Sequence, residues 1–507
     1  MSTLYRNGRV VGPVRDATAL LVDGTTVRWV GAEPDAPAAP GTRVVDLDGA
    51  FLAPAFVDAH VHATSTGLAL TGLDLRAAGS LADALRLVEA ASRAGRGRPI
   101  LGGGWDETRW PEGRPPTTAE LDRASYGGAV YLARVDVHSA LASSALLAAV
   151  PGIRERAGFT DEGWVRGPAH DAVREAAFDA VTPGQRRDAQ RAALRRAAEL
   201  GIACVHEMAG PVISSADDLV ALLALAADEP LPEVIGYWAE LLGIETAREL
   251  GAVGAAGDLF CDGSLGSHTA ALGAPYTDRP ETSGELRFAT EEVAEHVIRC
   301  TEAGLQAGFH AIGDAAVDQV LEAVETAAGR VGRPAGAAHR IEHVEYVRDP
   351  ARLAASGLIA SMQPCFDALW GGPDAMYARR LGAERAGWLN RFADLEAAGV
   401  PLAFGSDAPV TELGPWAAVR AAVHPTDPAA GITAAAAFAA HTRGGWLAAG
   451  RDAEGSLVPG ATATFAVWRT DRGLFDLAPD RPLPVCLATV RRGTPIFDAG
   501  ELAKLPG

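Results

Sequence analysis

His60 and His62 lie two residues apart in the apolar run FLAPAFVDAHVHA, where the period of a strand puts both imidazoles on one face. Asp58 falls on that face too and could orient one of them as a carboxylate partner. Four other strand-like segments carry residues of the same chemistry: His310 in LQAGFHAIGD, His343 in HRIEHVEY, His206 in GIACVHEM and Asp407 in VPLAFGSDAPV. Neutral imidazoles with a carboxylate suit a divalent transition metal, zinc first, with iron or manganese as alternatives. Such an ion lowers the pKa of its water from 15.7 to roughly 7, giving a hydroxide able to attack a carbonyl or amidine-like carbon. Asp407, at the metal's edge, is the expected general base and acid, taking the water's proton and passing it to the leaving nitrogen. His343, or His206 if it faces the site's mouth, would stabilise the developing oxyanion.

These residues need a scaffold that gathers distant segments. Helical stretches such as RRDAQRAALRRAAELG and DAAVDQVLEAVETAAGRVG alternate with short strand-like segments over several hundred residues. That pattern predicts parallel βα units and, in such number, a (β/α)8 barrel of the TIM type, whose active site gathers at the C-terminal strand ends. Residues 53–449 are assigned to it. Residues 1–52 and 450–507 are strand-rich and turn-rich, so both chain ends are expected to pair into one small β-sandwich domain. A segment at about 66–200, containing WDETRWPEGRPPTTAELD, is too irregular for a βα unit and reads as an insertion over the barrel mouth.

Composition narrows the chemistry. With 64 acidic against 45 basic residues the net charge is −19, which argues against nucleic-acid and anionic-membrane partners and leaves a small-molecule substrate. Lys504 is the sole lysine, so Schiff-base or phosphate-gripping lysine chemistry has no residue to use. The five cysteines are widely spaced and form no paired motif, which fits buried thiols in a reducing compartment. No apolar run is long enough to span a bilayer and the start lacks a leader-like segment, so a cytoplasmic location is expected, with a homodimer as the base-rate assembly.

VDAHVH, GSLGSHTAALGAPY, HAIGDAA, RIEHVE and GSDAPV, in this order and spacing, resemble the metal-dependent amidohydrolase superfamily. Within it they are similar to the YtcJ-like (amidohydrolase 3) branch, which includes N-substituted formamide deformylase. The resemblance covers nearly the whole chain, and it implies that His60, His62, His310, His343 and Asp407 occupy the metal-site positions. It also includes His138, in RVDVHSA, as a residue lining the substrate pocket from the insertion.

Two departures bear on the site. Where the branch carries a lysine that can bridge two metals once carbamylated, this sequence has Asp258, and where the branch has arginine it has His268. An aspartate is several atoms shorter than a carbamylated lysine. The expectation is therefore one ion per chain, held by His60, His62, His310 and Asp407, with His343 as hydrogen-bond donor or outer ligand. Asp258, Asp262 and His206 are the residues from which a second site could be built, and His206, His138, Asp262 and His268 are the candidate substrate contacts.

The expected reaction is hydrolysis of a non-peptide carbon–nitrogen bond in an N-acyl or N-formyl amine or a cyclic amide. The alternatives are an esterase, lactonase or deaminase on the same barrel, or a catalytically silent barrel that binds a small molecule. Fold resemblance alone does not separate them.

Overall fold

In the computed structural model, residues 2–37, 39–134, 139–334, 336 and 338–505 are described. Eight strands form one parallel sheet: β1 (Phe56–Val61), β2 (Ile202–Ala209), β3 (Glu233–Trp238), β4 (Gly254–Ala255), β5 (Gln306–Ala311), β6 (Arg340–His343), β7 (Ile359–Met362) and β8 (Leu402–Phe404). Each pairs with its sequence neighbour, in the order β8-β7-β6-β5-β4-β3-β2-β1. Every residue of β1, β2, β5, β6 and β7 is buried, as expected of parallel strands covered on both faces.

The ring closes between β1 and β8. Val61 bridges Ala408, and the Asp407 amide donates to the His60 carbonyl at 2.8 Å. This closure needs Gly405, since a Cβ there would stand 2.5 Å from the His60 nitrogen. Helices follow the strands. Thr290–Ala303 turns Val293, Val297 and Ile298 inward and ends at left-handed Gly304, while Ala216–Asp228 is capped by Ser215, whose hydroxyl accepts from the Asp218 amide.

Strands from both chain ends form two five-stranded sheets. One runs in the order 503–505, 43–46, 2–6, 19–23, 26–31; the other runs 9–10, 51–54, 465–469, 485–491, 494–498. They share an apolar cluster that includes Tyr5, Leu20, Val27 and Leu52 from the N-terminal part and Leu457, Phe465, Val467 and Val490 from the C-terminal part. The rings of Tyr5 and Phe465 meet edge-on, with centroids 5.0 Å apart.

Residues 64–193 form a compact unit of their own. Its five-stranded sheet, made of 164–166, 139–142, 130–134, 100–105 and 73–74, packs over Leu75, Val88, Trp105, Leu121 and Leu132. Trp105 and Trp110 are packing residues in this unit, their indole N–H groups donating to the carbonyls of Leu132 and Ala78. His138 lies outside the described residues. Among the described residues no helix is long and apolar enough to cross a membrane.

Candidate metal centre

Five of the residues singled out from the sequence for a metal converge at the C-terminal strand ends, around a sixth, Asp258. His60 and His62 come from β1 and the residue after it, His310 from β5, His343 from the last position of β6, and Asp407 from just beyond β8. Asp258 Oδ2 lies 3.2 Å from His62 Nε2, and its Oδ1 lies 3.5 Å from His60 Nε2, 3.5 Å from His310 Nδ1 and 3.3 Å from His343 Nε2. Asp407 Oδ1 is 3.1 Å from His62 Nε2 and 3.7 Å from His60 Nε2. Donor atoms around a tetrahedral ion with ligand bonds of about 2.1 Å stand about 3.4 Å apart, so these separations match a shared ion.

Backbone conformation aims two of the side chains. His343 and Asp407 both have positive φ, 68° and 55°, and Val344 follows His343 at 51°. Such left-handed positions cost a non-glycine residue on the order of 1–3 kcal/mol each and persist where the surroundings hold them. The Val344 amide donates to the Ala311 carbonyl, and the Asp407 amide is fixed by His60 as described. Asp258 is placed by the segment after the two-residue β4. Phe260 bridges His310, and Gly257 adopts φ 102° where a Cβ would meet Met208 Sδ at 2.8 Å.

Each imidazole is pinned through the nitrogen that faces away from Asp258. His60 Nδ1–H donates to Glu342 Oε2 at 2.9 Å, His62 Nδ1–H to the Met208 carbonyl at 3.0 Å, His310 Nε2–H to the Gly263 carbonyl at 3.1 Å, and His343 Nδ1–H to Gln363 Oε1 at 2.9 Å. The opposite nitrogens converge on the carboxylates. His60 Nε2, His310 Nδ1 and Asp407 Oδ1 are buried and lack a hydrogen-bond partner among the described residues. Orphaned polar atoms at the centre of a buried cluster are costly unless something satisfies them, and a divalent cation fits this donor set. Three overlapping trios have metal-ligand spacing: His60, His62 and Asp258; His60, His343 and Asp407; and Asp258, His310 and His343.

The electrostatics agree. Burial by itself would lower the His60 pKa, but Asp258, Asp407 and Glu342 override it and raise it to about 10. Burial opposes charge at Asp258 as well, yet His60 and the hydrogen bonds from His310 and His343 hold its carboxyl well below the usual range. The site is built for positive charge next to carboxylates.

Other candidates lie elsewhere. His206, a candidate oxyanion donor had it faced the mouth, is fully buried within β2, and its Nδ1 accepts from the Arg340 guanidinium at 3.0 Å, so it belongs to the barrel floor. The Asp262 carboxylate accepts from the amides of Ala271, Ile312 and Gly313, which makes it a clamp between two loops. His268 Nε2 bonds Asp278 at 3.0 Å, and Arg380 holds the same aspartate. Asp58 does not orient an imidazole. Its Oδ1 accepts from the amides of Ser406 and His60, which ties β8 to β1.

The imidazole-orienting carboxylate is Glu342, which sequence reasoning missed. Its signal was the charged pair R-x-E inside a wholly buried strand, where Arg340 and Glu342 share one face. Gln363, just after β7, was also missed and carried no motif signal.

Residues 43–497 match the Amidohydrolase family. The chain is 31% identical over 476 residues to the protein LONG AFTER FAR-RED 3 of Arabidopsis thaliana, covering 85% of this chain and 80% of that one. It is 25% identical over 508 residues to N-substituted formamide deformylase of Arthrobacter pascens, covering 91% of each. An uncharacterized metal-dependent hydrolase from Pyrococcus furiosus superposes with a TM-score of 0.80 at 30% identity, over 93% of this chain and 99% of that one. With a closed parallel barrel, a buried His/Asp donor set at its C-terminal end and a family match spanning most of its length, the chain belongs to the amidohydrolase family and is a metal-dependent hydrolase.

Proposed function

We propose that the protein hydrolyses a non-peptide carbon–nitrogen bond in a small molecule, an N-acyl or N-formyl amine or a cyclic amide, with zinc as the working metal. A divalent ion held by this donor set supplies Lewis acidity toward water and toward a carbonyl oxygen. The observation that carries the reading is Asp407 Oδ1, buried among the donor imidazoles without a hydrogen-bond partner among the described residues. A carboxylate oxygen so placed can accept a proton from the attacking water and return it to the leaving nitrogen. The pinned imidazoles keep the site rigid, so little reorganisation is needed when charge develops. The similarity to N-substituted formamide deformylase favours acyl nitrogen compounds over esters.

The length of the Asp258 side chain alone argues for a single ion. Asp258 nevertheless stands within 3.2–3.5 Å of all four imidazoles, one oxygen toward His62 and the other toward His60, His310 and His343. Were two ions bound, His60, His62 and Asp407 would hold one and His310 and His343 the other, with the Asp258 carboxylate within reach of both sets. His343 is then a ligand, its Nδ1–H being committed to Gln363.

A panel of N-formyl amines, N-acetyl amines, a cyclic amide, a lactone and an amidine, offered to zinc-loaded protein, tests the reaction. Turnover of one of the first three classes with release of the amine or ring-opened acid supports the reading. Turnover confined to the lactone or the amidine contradicts it.

A further inference from the structure

Beneath the donor set lies a charged pair that the hydrolytic reading leaves unused. Arg340 and Glu342, both 0% exposed, lie two apart on one face of β6 and face the barrel interior. The Arg340 Nε–H donates to Glu342 Oε1 and one Nη2–H to Glu342 Oε2, and that same Oε2 accepts the His60 Nδ1–H at 2.9 Å. The guanidinium ties together four strands. It donates to the Ala59 carbonyl on β1 at 2.7 Å, to His206 Nδ1 on β2 at 3.0 Å and to Ser361 Oγ on β7 at 3.0 Å, and lies over the Tyr237 ring of β3 with 4.6 Å to its centroid.

The four imidazoles of the site are therefore held unequally. Carbonyl oxygens pin His62, His310 and His343, whereas an ionised carboxylate pins His60 alone. A charge-assisted bond to the remote nitrogen fixes the tautomer and makes the other nitrogen a stronger electron donor. Arg340 keeps the buried carboxylate charged, and its bond to the Ala59 carbonyl fixes the backbone one residue before the ring.

We propose that Glu342, braced by Arg340, is the positioning residue that turns His60 Nε2 into the strongest imidazole donor of the metal centre. The inference rests on the metal-site reading above, and the experiment separates the two. Both partners of a buried pair are best changed together, because a lone buried charge is strongly destabilising whereas neutral replacement of both is often tolerated. The double variant Glu342→Gln with Arg340→Met keeps an acceptor for His60 and removes the charge.

Cobalt(II) is titrated into the metal-free full-length protein in competition with a chelator, alongside its visible absorption spectrum. Wild type binds cobalt, and the folded double variant should bind it about 10- to 100-fold more weakly with a shifted spectrum. A purely structural pair would alter the melting temperature and leave the affinity alone, and unchanged affinity in the variant overturns the proposal. Failure of wild type to bind cobalt would instead sink the metal-site reading. Should the variant not fold, nitrogen-15 NMR of histidine-labelled, zinc-loaded wild type decides. A downfield, exchange-protected Nδ1–H proton on His60 is expected, and an Nδ1 without a proton overturns the proposal.

Discussion

One carboxylate oxygen of Asp258 stands 3.3 Å from Nε2 of His343, while its other oxygen stands 3.2 Å from Nε2 of His62. The aspartate thus links the β1 histidines to those of β5 and β6, a task that its length alone argued against. Asp258→Asn keeps the shape and one oxygen but removes the charge. It should lower the metal bound per chain and cut turnover by at least about tenfold, the lower end of what weakened metal sites show. Metal analysis and rate measurement on the same sample check this.

Asp407 carries the proposed proton transfer, and its backbone is held at a positive φ of 55°. Replacing Asp407 with Asn should reduce turnover by roughly 10²–10⁴-fold, the span of general acid–base catalysis. A variant retaining most of its rate would assign the base elsewhere.

Close approach of β8 to β1 is required to deliver Asp407, and Gly405 permits it. Gly405→Ala would press a methyl group against the His60 nitrogen and Asp58 Oδ1, so it should cost about 1–3 kcal/mol and weaken metal retention. Gly329, inside the helix Asp314–Val331, is the contrasting site, because a methyl group added there would meet nothing within 4 Å. There the same change should leave stability equal or higher by about 0.4–1 kcal/mol. Thermal melts of the two variants compare them.

Protons and metal compete for the same nitrogens. With the His60 pKa in the metal-free protein raised to about 10 by Asp258, Asp407 and Glu342 against the opposing effect of burial, an incoming ion must displace that proton. Metal affinity should therefore rise with pH through the neutral and alkaline range and fall on acidification. The linkage to stability has the opposite slope. Because the folded pKa exceeds the unfolded value of about 6.5, the contribution of His60 to the metal-free fold is complete below about pH 6.5 and is lost as pH rises through about 10. Cobalt affinity and metal-free melting temperature, followed over a pH series, should move in opposite directions.

Much of this site was legible as strand ends. His60, His62, His310 and Asp407 each follow an apolar run and His343 closes a strand-like segment that carries Arg340 and Glu342, and a barrel brings such ends together whatever their separation in sequence. What was not legible depends on atoms the pattern does not encode. The reach of Asp258 comes from the chain running alongside β5 after a two-residue strand, a path set by Phe260 and Gly257. His206 sits in the middle of an eight-residue strand, so it points into the floor where the histidines at strand ends point to the mouth. Asp262 was indistinguishable from a substrate contact until the three amides it binds came into view.

Anomalous diffraction from crystals of the wild-type protein grown with zinc tests the central claim most directly. A peak against the Asp258 carboxylate is expected among the donor imidazoles, and were two ions bound, one would lie against His60, His62 and Asp407 and the other against His310 and His343. Absence of any peak there, or a single peak without Asp258 among its ligands, would contradict the claim.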